Sequence, residues 1–248
     1  MMQSNASWLG DARYGFFVHW NSKSVAGSDE AMFSSYEEAV NAFDTEAFAQ
    51  AISDAHAGFA VLTTTWAGYY FPAPSMAIDA VLPGRTTRRD LIADIIASFH
   101  KRGLRLILYY HYGKDDVEWW AASKFNTDRE FFWDAWEALF IEMGERYGSS
   151  LDGWWIDDGF TGYYGYDPDW ARLVRAAKAG HGSRIVGWNT WVYPPAHRYG
   201  DFYTGEIGVD HALHLNKWLT VGGDGRLTGG PHRGLFATFC GLMEPGEW

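Results

Sequence analysis

Along the chain, short and nearly continuous apolar runs alternate with longer stretches whose apolar residues return every three or four positions. Runs of the first kind fall at 14–19 (YGFFVH), 59–64 (FAVLTT), 104–110 (LRLILYY), 153–157 (GWWID), 184–188 (RIVGW) and 201–204 (DFYT). Each reads as a strand buried on both faces. Stretches of the second kind fall at 45–56, 86–101, 128–147 and 169–178 and read as helices. Within 86–101, the spacing of Leu91, Ile92, Ile95, Ile96 and Phe99 lays one apolar stripe along a helix, and Gly103 follows as a C-terminal cap. Asp44 or Thr45 caps the helix at 45–56, and Asp115 and Asp116 open a further helix carrying Trp119 and Trp120. Past 207 the pattern weakens; 213–221 and 236–242 read as two more strands, with the Gly-rich 222–234 as a loop between them. Strand–helix alternation of this kind predicts an α/β fold with a parallel sheet and right-handed crossovers. Its expected form is a (β/α)8 TIM-like barrel, a single domain spanning 1–248.

Composition narrows the chemistry. Of the 248 residues 47% are hydrophobic and 21% charged, which suits a large core and excludes disorder. Lys and Arg number 20 against 31 Asp and Glu, for a formal charge of −11. That balance argues against nucleic acid or an anionic membrane as partner, because phosphates are bound mainly through cations. The single cysteine, Cys240, makes neither an internal disulfide nor a thiolate metal site. His211 and His214 lie three apart with no third ligand at suggestive spacing, so neither a metal nor a cofactor is expected. No apolar run approaches the roughly 18 residues of a membrane span, and the opening MMQSNASWLG has no apolar leader, so a cytoplasmic location is expected. Aromatic residues make up 18% of the chain. Phe131, Phe132, Trp133 and Trp136 read as core, but Trp and Tyr in such number also suit a sugar-binding cleft, where flat apolar faces stack on pyranose rings.

In a (β/α)8 barrel the chemistry sits at the C-terminal ends of the strands. Those ends carry His19 and Trp20, Thr64 to Trp66, Tyr109 to His111, Asp157 and Asp158, Trp188 and Asn189, and Glu206. The set combines carboxylates, histidines and aromatic walls, without a phosphate-cradling glycine loop or a nucleophile elbow. A carboxylate pair in an aromatic cleft is what glycoside hydrolysis requires. The plainer readings stand beside it: Asp157 as a solvated turn or cap residue before Gly159, Glu206 as a surface glutamate, and His19 as a core histidine.

Several of these stretches resemble α-L-fucosidases of glycoside hydrolase family 29. Trp8-Leu-Gly-Asp-Ala-Arg-Tyr-Gly-Phe-Phe-Val-His-Trp20 resembles the family's opening strand, whose histidine binds the sugar. Ala42-Phe-Asp44 to Phe48, Arg89-Asp-Leu91 through Tyr110, Gly153-Trp-Trp-Ile-Asp157 and Gly200-Asp-Phe-Tyr-Thr-Gly-Glu206 follow in the family's order. The resemblance implies Asp157 as nucleophile, Glu206 as acid/base, and His19, Tyr110 and Trp155 as sugar contacts. Trp20, Trp66, His111, Trp188 and Asn189 complete the expected substrate-binding set at the barrel mouth. The implied reaction is a retaining double displacement that releases a terminal sugar, α-L-fucose above others, with an oligosaccharide or glycoside as partner; a homo-oligomer is compatible with it. The chain departs from the family pattern where Thr63-Thr-Thr-Trp66 stands in place of a "KHHDGF" segment, and Trp188-Asn-Thr-Trp191 in place of an "NdRwg" loop. No C-terminal β-sandwich of the kind the family carries is expected in these 248 residues. These departures keep open the alternative of a non-hydrolytic carbohydrate-binding protein on a degenerate fucosidase-like barrel.

Overall fold

The computed structural model describes residues 5–20, 33–66, 68–157, 168–189, 199–207, 226 and 236–241. Its centre is a seven-stranded sheet, all parallel and in chain order. The strands are β1 (Gly15–Val18), β2 (Phe59–Thr63), β3 (Arg105–Tyr110), β4 (Gly153–Ile156), β5 (Ile185–Asn189), β6 (Phe202–Ile207) and β7 (Phe236–Gly241). The first six coincide with the six apolar runs, and β7 with the stretch expected at 236–242; the strand expected at 213–221 lies outside the described residues.

The helices are α1 (Ser7–Ala12), α2 (Tyr36–Ala42), α3 (Thr45–Asp54), α4 (Met76–Val81), α5 (Leu91–His100), α6 (Val117–Ala122), α7 (Arg129–Tyr147) and α8 (Trp170–Ala177). Seven of these eight open on a Ser or Asp whose side chain accepts the amide three residues on, which answers one of the helix's orphan donors. The expected helix from Thr86 begins instead at Leu91, because Asp90 caps it by accepting from the Ala93 amide at 2.9 Å. Gly103 follows α5 at φ +67, a left-handed turn that favours glycine. The short α1, α2 and α4 fall below the length at which periodicity speaks.

The sheet is strongly curled. In a flat sheet β1 and β4 would stand about 14 Å apart, three inter-strand spacings. Phe17 on β1 and Trp155 on β4 nevertheless meet with ring centroids 5.2 Å apart. Side chains inside the curl form their own cluster: Phe17, Phe59, Val61, Ile107, Tyr109, Trp155, Ile185 and Phe202. Helix α1 packs on this cluster through Ala6 and Leu9, with Trp8 edge-on to Phe59 at 5.6 Å. Phe59 and Arg105 each begin a strand, and the Arg105 guanidinium lies 4.8 Å from the Trp8 ring, so α1 sits at the N-terminal end of the curl. The alternate residues face a larger outer core beneath the helices, where Phe140 of α7 packs on Tyr110 of β3 at 5.0 Å and on Trp154 of β4 at 4.3 Å. Phe132, Trp133 and Trp136 are buried in that core and Phe131 is half-buried. Among the described residues, no helix is long and apolar enough to cross a membrane.

Candidate active site

Strand alternation sorts the strand-end residues into two groups. On β4, Trp155 faces inward and Ile156 outward, so Asp157 follows Trp155 to the interior at the strand's C-terminal end. Its backbone N–H still extends the ladder, donating to the Tyr110 carbonyl at 2.9 Å. The carboxylate is gripped from the strands on either side. Tyr109 Oη on β3 donates to Oδ2 at 2.5 Å, and Asn189 Nδ2 on β5 donates to Oδ1 at 2.7 Å. Asp157 is 4% exposed, Tyr109 3% and Asn189 1%. Two hydrogen bonds to a buried carboxylate favour its charged form and fix its plane.

A ring of aromatic and imidazole groups accompanies it. His19, the residue after β1, lies 5.6 Å from the Tyr109 ring and 4.6 Å from the Trp66 ring, edge to face. Trp66 in turn lies 5.1 Å from the ring of His111, the residue after β3. His111 is buried, Trp66 half-buried and His19 solvent-exposed on one side, so this end of the curl grades from a recessed carboxylate to an open rim. Burial of the rest of the His19 ring pushes its pKa down to about 4, with repulsion from His111 adding to the effect. His19 is therefore neutral at physiological pH. Trp155 lies deeper, at 3% exposure, and among the described residues neither its indole nitrogen nor the buried hydroxyl of Thr204, register partner of Asn189, has a hydrogen-bond partner.

Three residues expected at the mouth stand elsewhere, because the positions next to the inward residues face the helices. Tyr110 is fully buried in the outer core, bonded to the Tyr69 hydroxyl at 2.9 Å, and burial pushes its pKa up. Trp188 packs against Trp170 of α8 and donates from Nε1 to the Tyr199 carbonyl at 2.9 Å. Trp20 packs against Phe43 at 5.4 Å and Tyr36 at 5.6 Å. The strand-end residue that grips Asp157 is Tyr109, the neighbour of the tyrosine chosen from the sequence. Glu206 is in β6 opposite Cys240 of β7, at the same parity in its strand as Phe202. Asp158, His211 and His214 lie outside the described residues. Asp116 caps α6 and pairs with Arg85 at 2.8 Å, a structural role. Among the described residues no cluster of three or more His, Cys, Asp or Glu could hold a metal ion.

Solved structures that share this fold include glycoside hydrolases. An endo-fucoidan hydrolase of glycoside hydrolase family 107, MfFcnA4, aligns with a TM-score of 0.60 and 15% identity over 82% of this chain and 36% of its own. An alpha-L-fucosidase GH29 from Bacteroides thetaiotaomicron aligns with a TM-score of 0.56 and 12% identity over 84% and 60%. The alpha-L-fucosidase AlfC from Lactobacillus casei aligns with a TM-score of 0.55 and 16% identity over 91% and 94%. The chain thus spans about a third of the first protein, 60% of the second and nearly all of the third. No curated protein matches it by sequence. The family profile described as Alpha-L-fucosidase matches residues 35–223, more than half of the chain, and the chain belongs to that family.

Proposed function

We propose that this chain is a retaining exo-glycosidase that removes a terminal α-L-fucosyl unit, with Asp157 as nucleophile and Glu206 as acid/base. The observation that carries this reading is the buried Asp157 carboxylate, oriented by Tyr109 and Asn189 inside an aromatic end of the curled sheet. Family membership supports the sugar. In this reading the described sheet is most of a (β/α)8 barrel, with β7 among its last strands.

The mechanism follows from the roles assigned to the two carboxyl groups. Asp157 attacks the anomeric carbon from one face and forms a glycosyl ester, while Glu206 gives its proton to the departing oxygen. Glu206, now a base, takes a proton from water, which attacks the same carbon and releases Asp157; two inversions give net retention. This chemistry needs the two carboxyl groups roughly 5–5.5 Å apart. Tyr109 and Asn189 hold the nucleophile still, which spares reorganisation at the moment of attack. Trp66, with His19 and His111 on either side, supplies a wall for the sugar.

The test is kinetic. Asp157→Ala should reduce hydrolysis of an aryl α-L-fucoside to background, and azide should restore product with inverted configuration. Glu206→Ala should lose about 10²–10⁴-fold on glycosides of poor leaving groups and far less on activated ones, since only the former need the proton. Equal turnover by wild type and Asp157→Ala would reject the assignment. Sugar binding without turnover across a panel of glycosides would identify a binding protein instead.

A further inference from the structure

We infer that Thr63 is a positioning residue that locks His19 in its Nδ1–H tautomer, so that His19 offers substrate a hydrogen-bond acceptor at Nε2. The inference deepens the proposed function and rests on it for the identity of the substrate, although the tautomer itself does not.

The argument is a count of protons. Thr63 Oγ1 lies 3.1 Å from the Val18 carbonyl oxygen and 3.0 Å from His19 Nδ1. A threonine hydroxyl has a single proton. If it went to Nδ1, the hydroxyl oxygen would face the Val18 carbonyl at contact distance with no proton between two acceptors. If it goes to the carbonyl, the hydroxyl accepts from Nδ1–H and both contacts are satisfied. Thr63 is fully buried, so water cannot relieve the first arrangement, and an unsatisfied buried polar group is costly. The second arrangement prevails: Nδ1 of His19 carries the proton and Nε2 carries a lone pair.

Geometry makes this useful. The Thr63 contact holds the Nδ1 side of the ring against β1 and β2, while the residue keeps part of its surface exposed at the rim beside Trp66. A sugar hydroxyl arriving there donates to Nε2. His111, on the other side of Trp66, has the opposite wiring, because its Nδ1 accepts from the Gly113 amide at 3.1 Å. In neutral His111 the proton is therefore on Nε2. The two histidines beside Trp66 are thereby set as complementary neutral tautomers, His19 with its acceptor and His111 with its donor at Nε2. This offers the chain a polar recognition element where the familiar paired-histidine segment is replaced by Thr63-Thr-Thr-Trp66.

Long-range ¹H–¹⁵N correlation spectra of the imidazoles test it directly, with His19 assigned by its disappearance in His19→Gln. At neutral pH His19 should show a protonated Nδ1 and an unprotonated Nε2, and the Nδ1 of His111 should be the acceptor of the Gly113 amide. Thr63→Val should shift His19 toward Nε2–H, and Thr63→Ser should restore the wild-type pattern. Addition of L-fucose should move the His19 Nε2 resonance. In kinetics, Thr63→Val should raise KM about tenfold with little change in kcat, as for loss of one ground-state hydrogen bond, and Thr63→Ser should rescue it. Wild-type His19 protonated at Nε2 would overturn the inference whatever the protein turns over. An Nε2 resonance unmoved by bound sugar would overturn the acceptor role. The expected tautomers in a protein without turnover would instead sustain the wiring and remove the hydrolase.

Discussion

At the scale of single residues, Asp157 depends on its two donors, and the cost of removing either can be stated. Tyr109→Phe deletes a hydrogen bond to a charged, buried group, which contributes about 1.5–3 kcal/mol. Values of kcat/KM on an aryl α-L-fucoside should accordingly fall by roughly 10–100-fold. An unchanged value would detach Tyr109 from the proposed nucleophile. His19 yields a prediction about pH. Its folded pKa of about 4 lies below its unfolded value of 6.5, so the unfolded chain binds the proton first. Its contribution to stability is fully present above pH 6.5 and is lost as pH falls toward about 4. His19→Gln should flatten that part of the stability–pH curve, measured by denaturant unfolding. Residue identity alone made Asp157, Asn189, His19, Trp66 and His111 legible as site candidates. It misled at Tyr110, Trp188 and Trp20, because strands buried on both faces carry apolar residues at every position and conceal which parity faces inward. The parity follows once Asp157 is taken as the inward anchor, since Trp155 and its register partner Tyr109 then face the same way. Thr63 gave no signal; its importance lies in a contact with the neighbouring strand.

At the scale of elements, Arg184, just before β5, ties two helix ends to the sheet. Its guanidinium donates to the carbonyls of Leu151, Ala177, Ala179, Gly144 and Gly148 with no exposure to solvent. These carbonyls belong to the C-terminal ends of α7 and α8 and to the turns that follow them, where helices leave acceptors unanswered and favour a cation. Burial lowers the Arg184 pKa to about 10, which still leaves it charged at neutral pH. Arg184→Met should cost more than about 3 kcal/mol, since several buried acceptors lose their donor together. Arg184→Lys should recover only part, because an ammonium cannot reproduce the planar fork. Asp90→Ala tests a milder tie: it removes the α5 cap and the acceptor for the Tyr147 hydroxyl at 2.9 Å. The cap alone is worth about 0.5–2 kcal/mol, so Tm should drop by roughly 1–8 °C for a chain of this size. The sequence made the long helices readable and offered Asp44 as a cap, since periodicity and capping are local, but it missed Asp90 and began that helix too early. It read 184–188 as an ordinary strand and gave no hint that Arg184 is turned inside, because that burial is set by two helix ends brought together only in the fold.

At the scale of the whole molecule, the alternation of apolar runs and periodic stretches was sufficient to place the chain in an α/β class with a parallel sheet, and chain-order pairing of seven strands follows that plan. The plug formed by α1 was not legible, because a six-residue helix is too short for periodicity and its partners, Phe59 and Arg105, are distant in sequence. The curl does two things for function. It sets β3, β4 and β5 at angles that let Tyr109 and Asn189 reach Asp157 from opposite sides, and it brings the ends of β1, β2 and β3 round so that His19, Trp66 and His111 join them. The central claim is that Asp157 is the group that becomes covalently attached to the sugar. The most direct measurement traps that bond: incubation with a 2-deoxy-2-fluoro-fucosyl fluoride, proteolysis and mass spectrometry of the labelled peptide. The expected result is a single fluorofucosyl ester on Asp157, formed in proportion to the loss of activity. A label on Asp158 or Glu206, or steady turnover to product of inverted configuration with no label at all, would contradict it.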